Sequence, residues 1–236
     1  MKYDLKTYIW NILDILFPPH CAGCEKWGVR FCGECFNSIG VITGPVCYYC
    51  GDPISSYNST ICDKCKFSDF MIDQVRSWAY FDGTLQKAVH KLKYRRDLGL
   101  STKLSLPMTS LFEEQSWKVD LIIPVPLHPD RLRNRGYNQA SLLAKPISKS
   151  TGILFNGKSL FRINKTRSQV GLSLPERMEN VSGAFQADPV YVKGQSVLII
   201  DDVITTGSTL KSCAAALKNS GAEKVYGLSL ARSLRL

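Results

Sequence analysis

The stretch at residues 197–209, VLIIDDVITTGST, constrains the fold of this chain more than any other part of its sequence. Its four opening apolar residues predict a short strand that is buried on both faces. Two carboxylates, Asp201 and Asp202, stand where that strand would end, and a turn and a helical apolar pattern follow them. Strands alternate with helices elsewhere as well, so we expect an α/β fold with a parallel sheet. Ligands of such sheets bind at the carboxyl ends of the strands.

The turn after the acidic pair predicts a phosphate site. It offers hydroxyls and backbone N–H groups just before a helix, and the N-terminal end of a helix attracts anions. A plain helix cap would need far fewer polar residues, and the glycine-lysine pattern of a Walker loop is absent. Carboxylates accept hydrogen bonds from sugar hydroxyls, so the stretch suits a ribose 5-phosphate. The turn residues are Thr205, Thr206, Gly207, Ser208 and Thr209.

This stretch closely resembles the motif that binds 5-phosphoribosyl 1-diphosphate (PRPP) in type I phosphoribosyltransferases. The resemblance implies that Asp201 and Asp202 form the catalytic pair and bind the 2- and 3-hydroxyls of the ribose. It also implies that residues 205–209 surround the 5-phosphate and that PRPP binds together with Mg²⁺.

Eight of the nine cysteines lie before residue 66, in four Cys-x2-Cys pairs. Two such pairs complete a site of four thiolates for one tetrahedral zinc ion, so the sequence predicts two structural zinc ions. Disulfides would need an oxidising compartment, for which we find no export signal. The pairs are Cys21 with Cys24, Cys32 with Cys35, Cys47 with Cys50, and Cys62 with Cys65.

The pairing of these knuckles is left open by the spacing. Sequential pairing joins the first knuckle to the second and the third to the fourth, and an interleaved arrangement joins the first to the third. In either case the sites are closed, and zinc binding supplies the folding free energy of a domain with a small apolar core. We expect an N-terminal helix and double zinc ribbon over residues 1–70 and a phosphoribosyltransferase-like domain over residues 71–236.

Positive charge is concentrated in the middle of the chain. The net charge is +10, and residues 124–177 hold ten Lys and Arg against two Asp and Glu. Arg133 and Arg135 follow the predicted strand DLIIPVP, where arginines can bind a diphosphate in a bidentate way. Lys165 and Arg167 lie in a polar stretch that has the composition of a mobile flap, or of an ordinary surface loop.

A second basic group lies on a predicted helix that follows residue 82. Its apolar side has helical spacing, and its other faces carry Lys87, Lys91 and Lys93. This face is either solvated or in contact with a phosphate or a nucleic acid. If it binds DNA, removal of the three charges should weaken DNA binding and leave PRPP binding nearly untouched.

The chain has no apolar run near the ~20 residues that span a bilayer. Apolar residues between positions 5 and 17 predict a helix docked on the protein rather than a signal peptide. We therefore expect a cytoplasmic protein without a membrane span.

In this order, the segments of the chain resemble the ComF family of competence-associated phosphoribosyltransferase-like proteins. The resemblance rests on LFPPHCAGC and the cysteine knuckles, AYFDGTLQKAVHKLKY, IPVPLHPDRLRNRGYNQASLLAK, QVGLSLPERMENVSGAF and IIDDVITTGST. It implies a zinc-ribbon-like domain joined to a type I phosphoribosyltransferase fold and a link to uptake of transforming DNA. It does not supply the acceptor substrate.

Two hypotheses of different class follow. In the first, the protein is an enzyme that transfers the phosphoribosyl group. Arg133 and Arg135, or a bound Mg²⁺, offset the charge of the leaving diphosphate, and Lys165 and Arg167 close over it. In the second, the fold senses PRPP without turnover, and the basic surface binds single-stranded DNA or a competence helicase or ATPase. Tyr94 and Tyr137 stand beside basic residues, which suits stacking on bases.

Overall fold

A computed structural model describes residues 18–54, 59–66, 71–95, 97–163 and 183–233. The predicted N-terminal helix and the basic flap with Lys165 and Arg167 lie outside these residues. The described helices, in chain order, are α1 (Gly33–Asn37), α2 (Asp63–Lys66), α3 (Gly83–Tyr94), α4 (Leu100–Glu113), α5 (Pro129–Arg135), α6 (Gln139–Thr151), α7 (Pro189–Val192) and α8 (Ser208–Asn219).

The centre of the molecule is a parallel sheet of five strands in the order β1-β7-β6-β2-β3. These strands are β1 (Gln74–Tyr80), β2 (Leu121–Pro124), β3 (Leu154–Phe155), β6 (Ser196–Ile204) and β7 (Lys224–Arg232). A separate antiparallel pair is formed by β4 (Leu160–Arg162) and β5 (Phe185–Ala187). The α/β fold with a parallel sheet predicted from the sequence is confirmed.

Both faces of the sheet are covered, as the apolar run in β6 predicts. Leu198 and Ile200 belong to a large buried cluster that also holds apolar residues of α3, α4 and α6. Val197 and Ile199 point to the opposite face, into a second cluster that includes residues of α8. The side-chain alternation of a strand therefore divides one apolar run between two cores.

The cysteine domain consists of two lobes, which we name the first lobe (residues 18–39) and the second lobe (residues 45–66). Between them the chain runs along edge strand β1, where Tyr80 N donates to Gly40 O at 2.8 Å and Ile42 N donates to Trp78 O at 3.0 Å. These contacts cover the outer edge of the sheet, which would otherwise offer unpaired backbone groups to another chain.

None of the helices in the described part of the chain is long and apolar enough to cross a membrane.

Candidate PRPP site and cysteine sites

The acidic pair and the hydroxyl-rich turn lie close together near the carboxyl end of β6, although the strand does not end at the pair as predicted but continues to Ile204. A cavity of about 320 Å³ is lined by Asp201, Thr205, Thr206, Gly207 and Thr209, together with Phe81 and Lys93. The structure thus brings Asp201 and four of the five predicted turn residues to one cavity. A second cavity of about 590 Å³ shares Phe81 and Lys93 with the first and lies between α3 and the first lobe.

The turn is built so that α8 begins at the cavity. Gly207 has φ of 79°, a left-handed conformation that favours glycine over residues with a side chain. Ser208 N donates to Thr206 Oγ1 at 3.2 Å, and the two hydroxyl groups lie 2.8 Å apart. Since the first N–H groups of a helix have no partner within the helix, this arrangement directs donors toward an anion in the cavity.

The two carboxylates are held in different ways. Asp201 accepts a hydrogen bond from Asp202 N at 2.9 Å and lines the cavity. Asp202 is only 2% exposed, and both of its side-chain oxygens are engaged. Its Oδ1 accepts from Gln139 Nε2 at 3.2 Å, and its Oδ2 forms an ion pair with the Lys93 ammonium group.

The electrostatics of this cluster follow from its burial. Burial, and then the charge of Asp202, raise the pKa of the Asp201 carboxyl well above its ordinary value, against the opposing effect of Lys93. Burial lowers the pKa of Lys93, but the charges of Asp202 and Asp201 outweigh that effect and raise it. Lys93 is therefore a cation that partly offsets two neighbouring acidic groups taken out of water.

Of the two arginines predicted for the diphosphate, the structure brings one to the acidic pair. Arg135 donates to Gln139 Oε1, and its guanidinium group stands 5.3 Å above the ring centre of Tyr94. Arg135 thus reaches Asp202 through Gln139. Arg133 is exposed and pairs with Asp130 at 2.5 Å. Their roles toward a diphosphate stay predictions.

We predicted the side of α3 that carries the lysines to be solvated or to contact a phosphate or a nucleic acid, and the structure shows their ammonium groups bound to acceptors of the protein itself. Lys87 Nζ donates to Gly23 O at 3.2 Å, and Lys91 Nζ donates to Cys21 O at 3.1 Å. Lys93 forms an ion pair with Asp202, so it lies at the candidate PRPP site, which we expected removal of its charge to leave nearly untouched. The sequence did contain a signal, because Lys93 lies eight residues after Leu85, and position i+8 continues the buried side of the helix. Nothing in the sequence alone identified its partner.

Each cysteine lobe brings four thiol groups together. The sulfur atoms of Cys21, Cys24, Cys32 and Cys35 lie within 4.8 Å of one another, as do those of Cys47, Cys50, Cys62 and Cys65. The pairing of knuckles, which the sequence left open, is therefore sequential.

The geometry of both clusters fits zinc. Four sulfurs at about 2.3 Å from a tetrahedral ion lie about 3.8 Å from one another. The Cys21–Cys32 and Cys50–Cys62 sulfur distances are both 3.6 Å. The sulfur of Cys21 also accepts hydrogen bonds from backbone N–H groups, which stabilise a thiolate. These residues would hold two structural zinc ions, with all four positions of each filled by sulfur.

Comparison with known proteins agrees with both parts of the molecule. The double zinc ribbon domain family matches residues 12–66, and the phosphoribosyl transferase domain family matches residues 138–232. The chain is 30% identical to DNA utilization protein YhgH of Salmonella typhimurium, over 89% of this chain and 92% of that protein. This chain belongs to the ComF family.

Two further relatives come from Haemophilus influenzae and Bacillus subtilis. This ComF family member is 29% identical to Competence protein F of Haemophilus influenzae, over 90% of each chain. It is 26% identical to Competence protein ComFC of Bacillus subtilis, over 95% of this chain and 89% of that protein. The recognition of the ComF family from the sequence is confirmed, as is the combination of a zinc ribbon with a type I phosphoribosyltransferase fold.

Proposed function

We propose that this ComF family protein binds PRPP together with Mg²⁺ at the carboxyl edge of its sheet. The observation that carries the proposal is the cavity that Asp201, the turn at residues 205–207 and Lys93 line together. A carboxylate, a helix N-terminus and a buried cation are the groups needed for a sugar that carries phosphates on both sides. Carboxylate oxygens are also the ligand type that Mg²⁺ prefers.

In this proposal each group has a distinct task. Asp201, which faces the cavity, accepts hydrogen bonds from the ribose hydroxyls, and Asp202 lies behind it. The turn that begins α8 donates backbone and hydroxyl hydrogens to the 5-phosphate. Arg133 and Arg135 with the flap residues Lys165 and Arg167 act on the diphosphate.

We further propose phosphoribosyl transfer as the reaction. The bond from the anomeric carbon to the diphosphate breaks, the bond to an acceptor nucleophile forms, and diphosphate leaves. The cavity of about 590 Å³ next to the PRPP site offers room for a second reactant. Binding of PRPP without turnover, as in a sensor, would be the outcome if no acceptor releases diphosphate.

The biological setting that we propose is the handling of DNA taken up by the cell. The names of the relatives, competence protein and DNA utilization protein, support this setting.

Direct binding of single-stranded DNA is a second candidate function, and one observation favours it. Tyr94 is 64% exposed at the end of α3, next to the ring of His90 and under the guanidinium group of Arg135. An exposed aromatic ring beside cations is a stacking platform for bases. Tyr137, the other aromatic residue that we predicted for stacking, instead donates its hydroxyl to Leu92 O.

Calorimetric titration of the full chain with PRPP and Mg²⁺ tests the first proposal. Asp201→Asn should weaken binding strongly, because charge-assisted hydrogen bonds contribute ~1.5–3 kcal/mol each. The matched control is Asp188→Asn, which also removes one negative charge but keeps the cap on Val190 N, since Asn caps as well as Asp. Equal affinities in the two variants, or no binding by the unchanged protein, would contradict the proposal.

Thermal unfolding of Asp201→Asn as a function of pH tests whether folding raises the pKa of the Asp201 carboxyl. A carboxyl whose pKa is raised by folding stabilises the fold below its unfolded pKa and loses that contribution as the pH rises through the folded pKa. Asp201→Asn should therefore unfold at a higher temperature than the unchanged protein at pH 7. The difference should vanish below about pH 4. A destabilised variant at pH 7 would show that the carboxylate is structural.

Screening for diphosphate release across nucleobases and single-stranded DNA then separates transferase from sensor. Fluorescence anisotropy with a labelled oligonucleotide tests the second candidate. Tyr94→Ala should reduce the affinity by ~1–3 kcal/mol if the ring stacks on a base. Exposed Tyr48 in the second lobe supplies the control variant, Tyr48→Ala, which should bind as before.

A further inference from the structure

Helix α3 contacts the first cysteine lobe along one side and the PRPP site at its end. Thr84 Oγ1 donates to Cys35 O at 2.9 Å near the start of the helix. Lys91 Nζ donates to Cys21 O at 3.1 Å and pairs with Glu25 at 3.1 Å. Two residues later, Lys93 forms its ion pair with Asp202.

These lobe contacts depend on the local fold of the lobe. Their acceptors are backbone carbonyl groups of Cys21 and Cys35, two of the four residues whose sulfurs form the first cluster. Gly23, which accepts from Lys87, lies in the same knuckle as Cys21, and a Cβ at Gly23 would stand 2.5 Å from the Cys35 sulfur. The four-thiol cluster therefore fixes the surface on which α3 lies.

At the C-terminal end of α3, the position of Lys93 determines how the carboxyl groups of Asp201 and Asp202 are held. Its side chain is 22% exposed and that of Asp202 is 3% exposed, so water screens the ion pair weakly. Without Lys93, one buried carboxylate would stand beside another with no cation of its own, which favours protonation or displacement of one of them. If Asp202 is displaced or protonated, it no longer holds Asp201 in the orientation that binds the ribose hydroxyls.

We propose that α3 couples the first cysteine lobe to the PRPP site, with Lys93 as the positioning residue that transmits the coupling. An ordered first lobe holds α3 so that Lys93 stays against Asp202 and keeps the acidic pair oriented. PRPP, which binds the ordered pair, in turn stabilises α3 and the first lobe. The inference rests on the proposed PRPP site. It adds that the first cysteine lobe helps to keep this site in the geometry that binds PRPP.

Thermodynamic linkage makes the coupling reciprocal, and this gives two independent readouts. Loosening the lobe must weaken PRPP binding, and PRPP must tighten the lobe by the same free energy. If Lys93 had only a local structural role, Lys93→Met would weaken PRPP binding but would not change the extent to which PRPP stabilises the first lobe.

The first readout is the affinity of the full, zinc-loaded chain for PRPP with Mg²⁺, measured by calorimetry. Lys93→Met should weaken binding at least about tenfold, as expected for loss of one partner of a buried charge pair. Lys91→Met, which leaves the acidic pair intact and loosens only the lobe contact, should weaken it by a smaller factor. The control is Lys103→Met, because Lys103 donates to Phe31 O of the same lobe at 3.2 Å but from α4. It should bind PRPP as the unchanged protein does.

The second readout is hydrogen exchange measured by mass spectrometry, with and without saturating PRPP and Mg²⁺. In the unchanged protein PRPP should slow exchange in residues 20–36 and leave residues 47–54 unaffected. In Lys93→Met, saturated with PRPP, the slowing of residues 20–36 should be lost. If this variant does not fold, Lys91→Met provides the same test with the acidic pair intact.

The outcomes separate the two proposals. A protein that does not bind PRPP overturns the proposed function and the inference with it. Binding of PRPP with no change of exchange in the first lobe overturns the coupling alone. Unchanged affinity in both Lys93→Met and Lys91→Met does the same, and equal protection of both lobes would show a general stabilisation that does not pass through α3.

Discussion

The two cysteine lobes carry the same pattern of knuckles but are joined to the rest of the molecule in different ways. The first lobe contributes Phe31, Ile39 and several cysteines to the larger buried cluster, in contact with residues of α3 and α4. None of the described residues between positions 45 and 66 belongs to either buried cluster. Cys47 and Cys65 are buried, but neither belongs to the two apolar clusters.

Polar contacts attach the second lobe instead. Arg232, at the end of β7, pairs with Asp52 and donates to Cys50 O. Arg76 of β1 donates to Tyr48 O at 3.0 Å, and Val75 N donates to Tyr49 O at 2.7 Å. The second lobe is therefore held by hydrogen bonds, including those of the buried Arg232 side chain, whereas the first lobe is also held by apolar packing.

This difference shows that the spacing of the cysteines determines a local four-cysteine cluster but not how that cluster packs against the rest of the molecule. Cysteine spacing produces two closely similar clusters. The residues around each cluster decide whether a lobe shares the core of the sheet domain. We therefore expect damage to the first lobe to spread into the sheet domain and damage to the second lobe to stay local.

Loss of metal is the strongest test of this contrast, since structural zinc contributes ~10–16 kcal/mol of apparent binding free energy in zinc-finger peptides. The double variant Cys21→Ser with Cys24→Ser should lower the melting temperature of the whole protein and the zinc content by one ion per chain. The double variant Cys47→Ser with Cys50→Ser should remove the other zinc ion and leave the melting of the sheet domain nearly unchanged. Metal analysis and calorimetry measure both effects. Equal destabilisation by the two variants would contradict the view that only the first lobe shares the core of the sheet domain.

A smaller effect is expected from a single apolar truncation. Phe31 is 2% exposed and packs in the larger cluster, so Phe31→Ala should cost ~3–5 kcal/mol of the free energy of unfolding in urea. In the second lobe, Tyr48→Ala removes an aromatic ring that is 51% exposed and should cost about 1 kcal/mol or less. Similar losses in the two lobes would show that the second lobe also shares the core.

The smallest effect on the whole molecule should come from Arg232→Met, which keeps an apolar stem but removes the guanidinium group. Breaking a buried ion pair costs about 3 kcal/mol or more, because the partner is left without compensation. Here that cost should appear as faster hydrogen exchange in residues 47–54 and 59–66. Exchange in β6 should stay slow. Global unfolding of the variant instead would show that Arg232 supports the sheet rather than the lobe.

Much of the fold follows from short-range signals. The apolar strand β6, the acidic pair and the turn before α8 were readable from residues 197–209, because strand, turn and helix there are adjacent in the sequence. The sequence did not show that β6 continues past the pair to Ile204. The eight cysteine ligands were readable for the same reason, since each knuckle spans four residues. The domain boundary after residue 70 stays a prediction, and the first lobe shares a buried cluster with the sheet domain across it.

Contacts between distant segments were not readable. The pairing of Lys93 with Asp202 joins residues more than a hundred positions apart, and Gln139 reaches the same carboxylate from a third segment. In the sequence, Lys93 is one of three lysines on a helix, and nothing local identifies Asp202 as the partner of its ammonium group. The exposure of Arg133 and the inward position of Arg135 likewise depend on the direction in which α5 leaves the sheet.

The sequence by itself determined the kinds of site in this protein, namely two four-cysteine clusters and a sugar-phosphate turn at a strand end. These depend on chemistry carried by residues within a few positions of each other, and local geometry follows from local sequence. Only the tertiary structure decided which knuckles pair and which lobe shares the core. It also decided that the basic side of α3 lies against the first lobe and the acidic pair, because packing of the sheet, not spacing along the chain, brings those groups within contact distance.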